Sequence, residues 1–136
     1  MTLTQEMRDK IAEIAGDFTV DLFVLFGSLA KGVAHSASDV DIAYRVSGDL
    51  SIEAECRLSL ALSSLFRTEA IDLVDLSKAA PLLRYGIMRD GILLYEKHRL
   101  EFSQQASYAF KNYIDAKILY RMREARVQER IDGYDI

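Results

Sequence analysis

The chain has 136 residues, 17 basic and 21 acidic side chains, a formal charge of −4, one cysteine, one proline and no tryptophan. Half of it is hydrophobic and 28% is charged, the balance of a globular chain long enough for one core and too short for two. An acidic total excludes a broad electrostatic grip on nucleic acid, and a lone Cys56 excludes a disulfide framework and a multi-cysteine zinc site.

Charges from Glu6 to Glu13 break up the first twenty residues, so no secretory leader is expected there. The longest apolar stretch, Leu22–Phe26, is too short to cross a bilayer. The expectation is a cytoplasmic protein. Met7, Ile11, Ile14, Ala15 and Phe18 recur at helical spacing with charges between them, predicting an amphipathic helix over 4–15 that stops near Gly16. Leu22–Phe26 is apolar on both faces and reads as a central strand. Asp39–Val46 reads as a second strand, with Val40, Ile42 and Tyr44 on one face.

Ser51 is placed to cap a helix with Glu53 and Glu55 in its first turn and Leu58, Ala61, Leu62 and Leu65 as its buried stripe. Ile71–Leu76 makes a third strand, Pro81 opens a short helix through Met88, and Ile92–Tyr95 makes a fourth strand after Gly91. Residues 100–131 keep a helical pattern without Gly or Pro. From Lys97 onward there are eight basic and six acidic residues, leaving nine and fifteen before it, so the body is −6 and the tail +2. This order of elements implies a small α/β or α+β unit with helices packed on a sheet.

Chemistry concentrates in Phe26-Gly27-Ser28-Leu29-Ala30-Lys31-Gly32 and Ser38-Asp39-Val40-Asp41-Ile42. A Gly-Ser pair after a buried strand lets the backbone turn tightly and offers amide N–H groups and a hydroxyl to anionic oxygens. On its own it also fits a plain turn. Asp39 and Asp41 alternate on a strand and so project from one face, where two like charges about 4 Å apart repel by roughly 1 kcal/mol even in water. A divalent cation resolves that repulsion, and Mg²⁺ takes one or two carboxylates together with substrate phosphate oxygens; a solvated strand face is the alternative. Asp72 and Asp75 have opposite parity, so only one of them can join the pair on a given face.

Gly27-Ser28, ten intervening residues and Asp39-Val40-Asp41 together resemble the signature of the nucleotidyltransferase superfamily related to DNA polymerase beta. Asp72 within Ile71–Leu76, Pro81-Leu82-Leu83-Arg84 and Gly91–Tyr95 resemble its smallest branch, the MNT minimal nucleotidyltransferases, many of them antitoxins paired with HEPN ribonuclease toxins. The resemblance covers about residues 5–96 and extends loosely along the C-terminal helix.

It implies a polymerase-beta-like fold: a small mixed sheet with packed helices and a long C-terminal helix. The nucleotidyltransferase domain would be 1–98, with 99–136 a helical extension packed on that domain or on a partner. Asp39, Asp41 and Asp72 would be the catalytic carboxylates and would hold one or two Mg²⁺ ions, Asp72 being chosen over Asp75 mainly on this ground. Gly27, Ser28, Lys31 and Ser38 would hold the phosphates of ATP, and AMP would pass to a tyrosine of the HEPN toxin. Lys31 stands where the family commonly has arginine, which keeps the charge and loses the planar fork.

Two other functions fit the residues less fully: a binding module that silences the toxin by contact alone, and a transferase acting on a small hydroxyl compound such as an aminoglycoside. Partners are therefore ATP and a HEPN toxin, with a second copy of the chain a further candidate, and neither membrane nor stable nucleic-acid binding is expected. Arg84 reads as a surface or ion-pair residue, His35 as a solvated loop residue and His98, between Lys97 and Arg99, as a linker residue. Cys56 reads as a buried apolar group, and Tyr108, Tyr113 and Tyr120 as helix packing or partner contact.

Overall fold

A strand apolar on both faces is stable only when covered on both, and β1 (Val20–Phe26) lies inside a four-stranded sheet. With β2 (Val40–Val46), β3 (Ile71–Asp75) and β4 (Ile92–Glu96), the strand order is β3-β2-β1-β4. β1 is antiparallel to both β2 and β4, and β2 is parallel to β3. This computed structural model describes residues 3–32 and 39–134.

Alternation along the strands divides the core in two. Phe23, Leu25, Ile42 and Tyr44 face α1 (Gln5–Asp17) and, beyond the one-turn α2 (Gly27–Ala30), α3 (Ile52–Phe66); Ile11, Ala15, Leu58 and Leu62 close that layer. Leu22, Val24, Ala43 and Leu76 face α4 (Pro81–Asp90) and α5 (Glu101–Tyr134), which supply Ile87, Met88 and Ala109. Asp41 and Asp72 have the parity of Ala43 and Leu76, so the second layer is the one that carries chemistry.

The helix predicted to stop at Gly16 runs one residue further. Its chain turns at Phe18, whose N–H reaches the Ile14 carbonyl (3.1 Å), and at Thr19, which takes a positive φ of 52°. Cys56 is exposed, not buried: it lies two residues from Leu58, hence on the opposite side of α3 from the Leu58/Leu62 stripe. Tyr113 does pack, stacked on Tyr85 at 4.4 Å, whereas Tyr108 and Tyr120 are exposed.

Arg84 is not a free surface residue, and it has no ion-pair partner among the described residues. Its guanidinium donates to the carbonyls of Leu76 (2.9 Å), Ser77 (3.3 Å) and Ala79 (2.9 Å), clamping the loop between β3 and α4. Arg84→Ala removes all three donors and is expected to lower stability by about 1–3 kcal/mol, read as a shift in the urea midpoint. Arg84→Lys should recover little, because an ammonium lacks the fork that serves diverging carbonyls.

An ionic cluster around the buried carboxylates of Asp21 and Glu101 fixes the root of α5. Arg45 lies 3.0 Å from Glu101 and 4.0 Å from Asp21, Lys97 lies 4.0 Å from Asp21, and the Ser47 hydroxyl also donates to Asp21. The Glu96 carboxylate accepts the Phe102 N–H at 3.0 Å and caps the helix. Beyond Ala116 every described side chain of α5 is exposed, including Ile118, Leu119, Tyr120, Met122, Val127 and Ile131. Among the described residues no helix is long and apolar enough to cross a membrane.

Candidate functional site

Three elements meet at one end of the second layer. β1 ends at Phe26, which pairs with Asp41 on β2, and Asp41 pairs in turn with Asp72 on β3. Residues directly opposite on neighbouring strands share a face with Cβ atoms roughly 5 Å apart, so Asp41 and Asp72 stand side by side. Asp39 precedes β2 by one residue, keeps the parity of Asp41 and is exposed. Asp41 itself is half-buried, and its carboxyl is pushed above the usual carboxylate range by burial first, then by the charges of Asp72 and Asp39.

Asp75 takes the opposite parity, opposite Tyr44, and its carboxylate accepts from the Ser77 N–H (2.9 Å) and hydroxyl (2.7 Å). It is committed to the turn after β3. The parallel register thus leaves Asp72 as the acid beside Asp41.

Gly27 closes the other side. Its φ is +76°, and a Cβ on it would fall on a carboxylate oxygen of Asp41. Only glycine lets the chain turn left-handed so close to that acid. Ser28 follows within α2, and among the described residues no side chain caps the N-terminus of that turn. Lys31 ends α2 at 4.0 Å from Asp90, at the end of α4. Hydrogen bonds from Arg89, with the charge of Lys31 adding, hold Asp90 below the ordinary carboxylate range. A cleft of about 240 Å³, lined in part by Gly27, Lys31, Leu82, Gly86 and Asp90, opens between α2 and α4. Ser38 and His35 lie outside the described residues.

Size does not locate the site. A cavity of about 660 Å³ between α1 and α3, more than twice the volume of that cleft, holds none of these acids. Among the described residues no three His, Cys, Asp or Glu side chains close on a single point, so the carboxylates form a row and not a cage. A row suits Mg²⁺, which keeps several waters, needs only one or two carboxylates and draws other oxygens from a bound phosphate. The mutual repulsion felt at Asp41 is the electrostatic signature of acids that a cation would relieve.

The family model for polymerase beta nucleotidyltransferases matches residues 9–100. The chain belongs to that family. It is 33% identical over 89 residues to the protein adenylyltransferase MntA of Shewanella oneidensis, an alignment covering 65% of this chain and 59% of that protein. A crystal structure of a toxin–antitoxin pair with AMP-PNP is similar at 27% identity over 93% of this chain and 96% of the other, with a TM-score of 0.67. A tri-AMPylated Shewanella oneidensis HEPN toxin in complex with an MNT antitoxin is similar at 26% identity over 96% and 98%, with a TM-score of 0.62.

Two features escaped sequence reasoning. Asp90 beside Lys31 has no local signal, since the two lie far apart along the chain. The Asp21 cluster had one: a single carboxylate within the apolar run Val20–Phe26 must be paired if buried.

Proposed function

We propose that this chain transfers AMP from ATP to a tyrosine hydroxyl of a cognate HEPN ribonuclease toxin, with Mg²⁺ as cofactor, and so serves as that toxin's cytoplasmic antitoxin. The observation that carries the reading is the row of Asp39, Asp41 and Asp72 against the left-handed turn at Gly27. The adenylyltransferase and toxin–antitoxin relatives support it.

Asp39 and Asp41 hold the metal, with Asp72 completing the set. When bound, magnesium supplies neutralisation of charge on the α-phosphate and on the departing pyrophosphate. Asp72, exposed at the rim, orients the incoming hydroxyl and takes its proton. The acceptor oxygen bonds to the α-phosphorus as the bond to the β-phosphate oxygen breaks, and pyrophosphate leaves in line. Backbone N–H groups of α2, the Ser28 hydroxyl, Ser38 and the Lys31 ammonium receive the outer phosphates, where fixed donors favour the charge gathering on the leaving group. Residues 1–98 form the transferase unit. The extension 99–136 presents the uncovered apolar half of α5 to the toxin.

Incubation with α-labelled ATP, Mg²⁺ and the toxin should place label on the toxin, EDTA should remove the reaction, and replacing the acceptor tyrosine by phenylalanine should remove the label. Labelling that persists in EDTA, or none with every component present, overturns the proposal.

A further inference from the structure

Asp72 is the one acid of the row on an edge strand. The Val40 N–H donates to the Ala70 carbonyl (2.8 Å) and the Leu76 N–H to the Tyr44 carbonyl (2.9 Å). The even-numbered residues of this segment therefore turn their backbone groups toward β2, and Ile71 and Leu73 turn theirs outward. Among the described residues no strand pairs with that outer side. Along it runs a groove of about 350 Å³, bordered by Ile52, Cys56 and Ser59 of α3 and by Ile71, Asp72 and Leu73 of β3. Its apolar mouth is open: Ile52 is 85% exposed.

We infer that the outer edge of β3 is the acceptor-docking site, where an extended segment of the protein acceptor adds a fifth strand. The inference rests on the reading of the chain as a protein-modifying transferase. It deepens that reading by stating how the acceptor is held. Main-chain bonds to Ile71 and Leu73 supply attachment independent of sequence, and alternate side chains supply choice. A residue directly opposite Asp72 shares its face, so its hydroxyl arrives on the side of the carboxylate row. Its neighbours, opposite Ile71 and Leu73, turn to the α3 side and enter the groove. The occupant is thus a hydroxyl residue between apolar ones. Glu55 and Asp72 border the groove, which favours basic residues in the same segment. Tyrosine suits the central position better than serine or threonine, because its hydroxyl stands furthest from its backbone and must reach back across β3 toward β2.

The test uses the full chain, ATP, Mg²⁺ and the toxin. Leu73→Pro deletes one outward N–H while leaving the ladder to β2 intact, a placement edge strands tolerate. Cys56→Arg fills the groove from an exposed helix position and keeps the test valid if Leu73→Pro fails to fold. Leu73→Pro should raise KM for the toxin about tenfold, the effect of one or two lost main-chain bonds, and Cys56→Arg should raise it by blocking the groove, each with KM for ATP unchanged. Hydrogen exchange on the wild type should show the Ile71 and Leu73 amides gaining protection when toxin is added. If the wild type labels the toxin while those amides stay unprotected and Cys56→Arg keeps its KM, the docking edge is wrong and the transferase reading stands. If the wild type labels no protein, both fall.

Discussion

Asparagine at both Asp39 and Asp41 is expected to lower AMP transfer by about 1000-fold or more and, in metal-free protein, to raise the melting temperature by a few degrees. The loss follows from removing the charges proposed to hold the cation while leaving the shape of the site nearly unchanged. The gain follows from the electrostatics of the carboxylate row without metal. Burial, Asp72 and Asp39 raise the Asp41 pKa, so the folded protein holds that proton more tightly than the unfolded chain does. The contribution of Asp41 to the stability of the metal-free protein is then greatest below the ordinary aspartate value and falls as pH climbs through the raised one. With its carboxylates ionised the wild type carries the repulsion, on the order of 1 kcal/mol for neighbouring carboxylates in high dielectric, and the amides carry none. Melting in EDTA from pH 4 to 8 should show the gap between wild type and variant widening with pH. Magnesium should reverse the order, because a ligand that binds only the folded state stabilises it and the variant has lost the ligating charges. A double variant that melts below the wild type in EDTA at pH 7 would contradict the account.

What the sequence disclosed and what it withheld divide along the range of the interactions. Leu22–Phe26 announced a central strand because burial on both faces needs apolar residues at every position, and local pattern suffices for that. Asp39 and Asp41 were legible as a pair for the same reason, since strand alternation is local. The third acid was not legible from the residues alone. Parity says that Asp72 and Asp75 part ways, but which one meets Asp41 depends on the parallel register Asp41↔Asp72, set by a crossover through α3. The loop clamp of Arg84 escaped because its three partners are backbone carbonyls, which leave no mark in residue identity. Cys56 was misplaced because residue type outweighed helix phase, although Leu58 and Leu62 already fixed which side of α3 is inside.

Gly27→Ala should damage both stability and turnover. Two penalties coincide there. The φ of +76° is one an L side chain rarely adopts, worth roughly 1–2 kcal/mol. The added Cβ also falls on the Asp41 carboxylate, so either the turn or the acid must move. A displacement of about 1 Å at a positioned group can lower turnover about 100-fold, and here the displaced group is proposed to hold the metal. Gly32→Ala separates the two effects. Its φ is +72°, yet no heavy atom of the described residues lies within 4 Å of a Cβ built there. It should therefore lose stability to a similar backbone penalty while keeping activity within a few-fold of wild type, an allowance within the ordinary scatter of surface substitutions. Coupling supplies the sharper measurement. If the added methyl acts through Asp41, Gly27→Ala should destabilise an Asp41→Ala background less than it does the wild type, by roughly 1 kcal/mol or more, because the colliding carboxylate is gone and only the backbone penalty remains. Equal penalties in the two backgrounds would mean that the glycine serves the turn alone and that its closeness to the acid has no energetic consequence.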